Sequence, residues 1–118
     1  MNELIIKVFI NIDDKQELEK LVEKIDLKNK QYFELDILKN PDFNEKIAKI
    51  FPDGFLHFPY IIEYYKNEKV FDDKDINNSR TILETLWEKN IPAIAASDYE
   101  EKLPENGGYK SKKVPWKL

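Results

Sequence analysis

His57 is the single imidazole of the chain, and imidazole is the side chain that titrates near neutrality, so it is the obvious candidate for acid–base chemistry. A general base also needs an orienting acid and a reacting group within hydrogen-bond reach. Glu63 lies six residues further along what reads as the same strand, about 20 Å at strand rise, too far to serve. Glu34 or Asp36 could lie across from His57 if neighbouring strands pair in a suitable register. The same three side chains could offer a hard divalent cation nitrogen and oxygen ligands, but no spacing fixes them and no second histidine helps. Gly54, Gly107 and Gly108 form no phosphate cradle, and neither GK(S/T) nor GxGxxG occurs. The run Asp72-Asp73-Lys74-Asp75 lacks the glycine and terminal glutamate of a calcium-binding EF-hand loop and reads as a solvated loop leading into a helix cap. There is no cysteine, hence no disulfide framework and no thiolate ligand. No catalytic set assembles from these residues, and the expectation is a non-enzymatic protein with no metal and no cofactor.

The charge is uneven. The chain carries −4 overall, yet residues 107–118 hold four lysines (Lys110, Lys112, Lys113, Lys117) and no acid, which leaves 15 basic against 23 acidic residues, or −8, in residues 1–106. Such a body repels phosphate backbones, because nucleic-acid affinity comes mostly from Lys and Arg displacing counterions. It attracts basic partners instead. The N-terminal residues lack a basic region and a small-residue cleavage site, so no signal peptide is expected. The longest apolar runs are about five residues against the roughly 20 that span a bilayer. These features predict a soluble, cytoplasmic protein that touches neither membrane nor nucleic acid directly. At 118 residues, with 42% apolar and 13% aromatic composition, one domain with a real core is expected.

Periodicity supplies the elements that would hold these groups. Leu4, Ile6, Val8, Ile10 and Ile12 fall on every second position, with Ile5, Lys7, Phe9 and Asn11 opposite, predicting a strand with one buried face. Asp14 with Glu17 three residues on resembles a capping box, and Leu18, Leu21, Val22 and Ile25 predict an amphipathic helix over 15–26. YFELDIL (32–38) alternates again, Phe33, Leu35 and Ile37 inward, Glu34 and Asp36 outward. Residues 43–50 set Phe43, Ile47 and Ile50 on one side of a short helix. After the Pro52-Asp53-Gly54 turn signal, residues 55–65 predict a long strand with rings on both faces, bulged or unpaired on one side at Pro59. Asn67-Glu68 reads as a turn. Asp75 is the expected cap of a helix over 76–89 with Ile76, Ser79, Ile82, Leu83 and Leu86 inward, closed by Asn90. Ile91 to Ser97 predicts a last, small-residue strand. The domain is expected over 1–99, followed by an irregular, lysine-rich segment over 100–118 in which Trp116 docks the tail onto the body.

The order β-α-β-(α)-β-α-β is that of the ferredoxin-like split βαβ sandwich, an α+β fold with an antiparallel sheet and both long helices on one face. The other face is then open and displays Lys7 and Phe9, Glu34 and Asp36, and His57, Ile61, Glu63 and Tyr65. Rings bordered by carboxylates suit a basic protein partner. RNA-recognition sheets also carry rings, but with basic neighbours rather than Glu34, Asp36 and Glu63.

The stretches PDGFLHFPYIIE (52–63) and IPAIAASDYEEKLPENGGYK (91–110) resemble a family of small, largely uncharacterised bacterial proteins that share a PDGF-x-x-FPY-x-IE core and a closing LP-x-NGGYK segment. Some small acidic proteins of this kind are immunity proteins that neutralise a toxin. The resemblance covers roughly the last two-thirds of the chain. It brings no catalytic residues, and it implies that Pro52, Gly54, Pro59, Asn106, Gly107 and Gly108 shape the fold. Charge, face and resemblance together predict an immunity or inhibitor protein that occludes the cationic site of a basic toxin such as a nuclease. Phe9, Glu34, Asp36, His57, Ile61, Glu63 and Tyr65 would form its contact face. A small-ligand protein or enzyme with a pocket around His57, or a homodimer through the same face, are the alternatives.

Overall fold

In the computed structural model, which describes residues 3–27, 30, 33–66 and 72–116, four antiparallel strands form one sheet in the order β2-β3-β1-β4. The strands are β1 (Glu3–Ile10), β2 (Phe33–Lys39), β3 (Tyr60–Lys66) and β4 (Ala93–Ala96). Helix α1 (Lys15–Lys24) links β1 to β2, a one-turn α2 (Glu45–Ala48) lies between β2 and β3, and α3 (Asp73–Glu88) links β3 to β4. Each long-helix crossover skips a strand: β3 lies between β1 and β2, and β1 between β3 and β4. The architecture is α+β, as the alternating periods predict. Tyr32, the Asn67-Glu68 turn and Lys117 lie outside the described residues.

Both long helices pack on one face. Ile6, Val8, Ile10, Leu35, Ile37, Ile62, Tyr64, Ala93 and Ala95 from the strands cluster with Leu18, Leu21, Val22, Ile82, Leu83 and Leu86 from α1 and α3. At roughly 1.5–3 kcal/mol for each fully buried aliphatic side chain, this layer dominates stability. Asp14 caps α1, its carboxylate accepting from the amides of Gln16 and Glu17. The cap of α3 is Asp72 rather than the expected Asp75, which sits three residues on as the reciprocal partner of a capping box. Asn90, at φ 61°, closes α3 as foreseen: its amide reaches Trp87 O and the Ile91 amide reaches Leu86 O, the Schellman pattern.

β1 departs from strict alternation at its start. Leu4 pairs with Tyr65 but Ile6 pairs with Tyr64, so a bulge at Ile5 changes the parity of the strand. Leu4 is consequently exposed on the second face, and Ile5 joins the helix-side core.

The second face is not open, contrary to the sequence reading. The segment predicted as the first half of a long strand is a short 3₁₀ helix, Asp53–His57, and β3 begins only at Tyr60, after Pro59. That segment folds back over the sheet and brings Phe55 and Phe58 against Phe9, Ile61 and Ile94 in a second apolar cluster with Ala48 and Val114. Gly54 makes the fold-back feasible, since a Cβ there would lie 2.3 Å from Ile47 O. The C-terminal segment completes this layer. The Tyr109 ring contacts Phe55 and its hydroxyl donates to Asp53, while Trp116 packs on Phe51 and Phe58 and donates to Lys49 O. Gly107, at φ 78°, approaches β4 so closely that an added Cβ would lie 2.8 Å from Ala95 O. The helix expected over 43–50 is the single turn Glu45–Ala48; Phe43, Ile47 and Ile50 are exposed, and α2 docks through Ala48.

Candidate functional site

The layer of residues 41–58 and 100–116 covers only part of the second face, and the strand register shows where it stops. Across β2, β3, β1 and β4 the first row is Leu38, Ile61, Phe9 and Ile94. In that row Phe9 is 8% and Ile61 7% exposed, with Phe55 edge-on to the Phe9 ring at 5.3 Å. Phe9 and Ile61 were expected to be contact residues on an open sheet; they are core residues of the second layer. The next row is Asp36, Glu63, Lys7 and Ala96, and the third is Glu34, Tyr65 and Leu4. These two rows remain at the surface: Glu34, Asp36 and Leu4 are exposed, and Glu63 and Tyr65 half-buried.

Asp36 stands directly opposite Glu63, a like-charge cross-strand pair of the kind that destabilises a sheet. Glu63 is compensated from its other side. Lys7 Nζ lies 3.6 Å from its carboxylate, and the Tyr65 hydroxyl donates to it at 2.5 Å. That hydrogen bond, with minor help from burial and from the Asp36 charge, raises the Tyr65 phenol above its ordinary value. Among the described residues no cation forms an ion pair with Asp36.

His57 is displaced from the predicted strand face by the 3₁₀ turn. Its Nδ1–H donates to Asp42 O at 2.8 Å, and its carbonyl accepts from the Asn44 amide. In the neutral ring this contact selects the tautomer with the proton on Nδ1. Because the chain reverses at Asp53–His57, His57 and Glu63 line one cleft of about 490 Å³, with Leu38, Leu56, Phe9 and Ile61 as apolar wall. The spacing of six residues that argued for a 20 Å separation holds only for a continuous strand. Glu34 and Asp36 do not line this cleft. Among the described residues no group of three or more His, Asp or Glu side chains is placed to hold a metal ion, so His57, Glu34 and Asp36 do not come together as a site.

Asn40 went unnoticed in the sequence, yet it anchors the fold-back. Its buried Nδ2 donates to Leu56 O (2.9 Å) and Phe58 O (2.7 Å), Oδ1 accepts from the Asp42 amide, and its own amide reaches Pro59 O. Its sequence signal was the Asn-Pro pair, which marks a turn but not its partners.

At the far end of β3, on the helix side, a buried polar network stands in place of the solvated loop expected over 72–75. Asp75, 3% exposed, accepts from Tyr64 Oη (2.6 Å), Lys66 Nζ (2.8 Å) and the Asp72 amide (3.0 Å). Asn78 Nδ2 donates to Tyr64 Oη, and Lys66 also reaches Asp72 at 3.3 Å. Burial and the bond to Asp75 push the Tyr64 phenol far up. Burial works against the Lys66 ammonium, but its bonds to Asp75 and Asp72 outweigh that and raise it. Tyr64 is fully buried, and the network joins β3 to the start of α3.

No family model, curated protein or solved structure matches this chain. Among the described residues no helix is long and apolar enough to cross a membrane.

Proposed function

We propose that this chain is a non-enzymatic, acidic binding protein that acts in the cytoplasm and engages a basic protein through the uncovered rows of its sheet. The most concrete form is an immunity or inhibitor protein of a toxin such as a nuclease. The observation that carries the reading is the Asp36–Glu63 pair: two carboxylates held directly opposite at the surface, beside Glu34 and Tyr65. Glu63 is partly compensated by Lys7 and Tyr65 while Asp36 has no paired cation among the described residues, so a cation of a partner would be met by both carboxylates. The mechanism is occlusion, with Glu34, Asp36 and Glu63 occupying a cationic site built for phosphates and Tyr65, Leu4 and Leu38 supplying contact area. The −8 balance of residues 1–106 would accelerate encounter. In the same spirit we assign the scaffold to the ferredoxin-like class, on the two split crossovers and the strand order.

The test is retention from lysate of the producing cells by wild type and by Glu34→Lys/Asp36→Lys, with circular dichroism showing that both are folded. A basic protein held by wild type, released by the variant, and losing its own activity in the complex is the expected outcome. Equal retention by both removes this face from consideration. The cleft between His57 and Glu63 favours a second reading, a small-ligand site. Amide shifts confined to residues lining it, on titration with imidazole-sized and nucleoside-sized compounds, would bring that reading forward.

A further inference from the structure

The sheet has two edges, and among the described residues only one is closed. β4 is four residues long; the Trp87 indole donates to Ala93 O at 2.9 Å, and Gly107 lies against Ala95 O. β2 at the opposite edge is seven residues long and pairs, among the described residues, with β3 alone. Edge strands are ordinarily blunted by shortness, bulges, proline or charge, lysine above all; here the charge is that of Glu34 and Asp36, which repels an acidic strand but not a basic one. Phe33–Lys39 has no proline, its register with β3 is unbroken, and its one lysine is the final residue.

We infer that the outer edge of β2 is a docking edge at which an extended segment of the basic partner joins the sheet as a fifth strand; this rests on the acidic-face reading above. Charge decides the occupant. Antiparallel pairing with a second copy, fully overlapped, sets Asp36 against Asp36, and centring the pair on Leu35 sets Glu34 against Asp36 twice. Like charges directly opposite are destabilising, so a second copy is disfavoured in these two registers, and the register centred on Ile37 sets Asp36 against Leu38 and gains no ion pair. A strand whose alternate residues are Lys or Arg meets Glu34 and Asp36 favourably. The intervening residues of that strand fall beside Leu35 and Ile37, which are half-buried against the helix-side core, and should be apolar. The backbone would supply affinity and the alternation specificity.

The probe is an acetylated, amidated heptapeptide, Lys-Val-Lys-Val-Lys-Val-Lys, titrated into the full chain by fluorescence anisotropy, with amide hydrogen exchange as the second readout. Its control carries N-methyl groups at one central lysine and one central valine, which blocks both strand edges while keeping every side chain and charge. The parent should bind at least about tenfold more tightly than the control, or about 1.4 kcal/mol, and slow exchange of amides within residues 33–39. Equal binding of both peptides overturns the edge while leaving the acidic face standing. Undiminished binding of the parent to Glu34→Lys/Asp36→Lys overturns the acidic face as well. No binding by the parent, protection in another strand, or a wild-type dimer protected at β2 each overturns the inference.

Discussion

Replacing Asp75 by alanine should unfold this protein more readily than any surface change. The carboxylate is 3% exposed and receives three donors, from Tyr64, Lys66 and the Asp72 amide. Its removal takes the nearest carboxylate, at 2.8 Å, from the 6%-exposed Lys66; Asp72 remains at 3.3 Å on a side chain that is about half in water. Tyr64 Oη keeps the contact from Asn78, in which it accepts, but loses the acceptor for its own proton. Breaking a buried charge pair by deleting one partner costs about 3–5 kcal/mol, and the surviving Asp72 contact places this case near the lower end, about 3 kcal/mol. Against a total of about 5–15 kcal/mol, that is a large fraction. At about 4 °C per kcal/mol for a domain of this size, the melting temperature should fall by about 12 °C. Urea unfolding followed by circular dichroism measures the loss directly. The companion variant Lys66→Met/Asp75→Leu removes both charges and should cost about 1 kcal/mol or less, because no uncompensated charge stays buried. An Asp75→Ala loss below about 1 kcal/mol would refute the argument that this network is sealed from water, as would a double variant as costly as the two single changes combined.

Stability should also decline at alkaline pH. The folded-state values of Tyr64 and Lys66 lie above their ordinary 10.0 and 10.5, so their contribution is complete below about pH 10 and is lost as pH rises through the folded values. Urea midpoints between neutral pH and about pH 11 should show this fall, and Tyr64→Phe/Lys66→Met should flatten it. At the acid end burial raises the Asp72 carboxyl, but the Asp75 amide and Lys66 lower it further; its contribution is present above 3.8 and lost as pH drops through the depressed value. Phe55→Ala, which deletes the ring between Phe9 and Tyr109, should cost about 3 kcal/mol and open the second layer, read as increased binding of a hydrophobic dye; an unchanged midpoint would show that Phe9 is covered by other means.

The helix-side half of the fold was legible because its signals are local. Alternation in residues 33–37, the 3.6-residue stripe of α3 and the Asn90 cap each depend on neighbours a few residues away, and each lies where the periodicity put it. The errors arise where the deciding partner is remote. Ile5 is as apolar as Leu4, so the pattern cannot reveal a bulge set by pairing with Tyr64 and Tyr65 some sixty residues later. Asp75 looks like a cap because its other partners, Tyr64 and Lys66, are on a different strand.

The stretch FPDGFLHFPYIIEYY shows the same limit in its sharpest form, and its resolution reshapes the candidate site. Rings at alternating positions satisfy a two-sided strand and also a turn that folds back on a strand, because both bury one apolar residue in two. What selects the turn is Asn40, whose amide group holds Leu56 O and Phe58 O, together with a glycine at the one position where Ile47 O leaves no room for a Cβ. Once the chain reverses, the rings of Phe55 and Phe58 are spent on Phe9 and Ile61 instead of on a partner. The exposed part of the second face is therefore less aromatic and more acidic than the sequence implied. It consists of two rows, Asp36-Glu63-Lys7 and Glu34-Tyr65-Leu4, running out to β2, which among the described residues pairs with β3 alone. A face of that composition has little apolar area with which to hold an uncharged partner; on the proposed reading, charge and backbone pairing at the edge would supply most of the affinity.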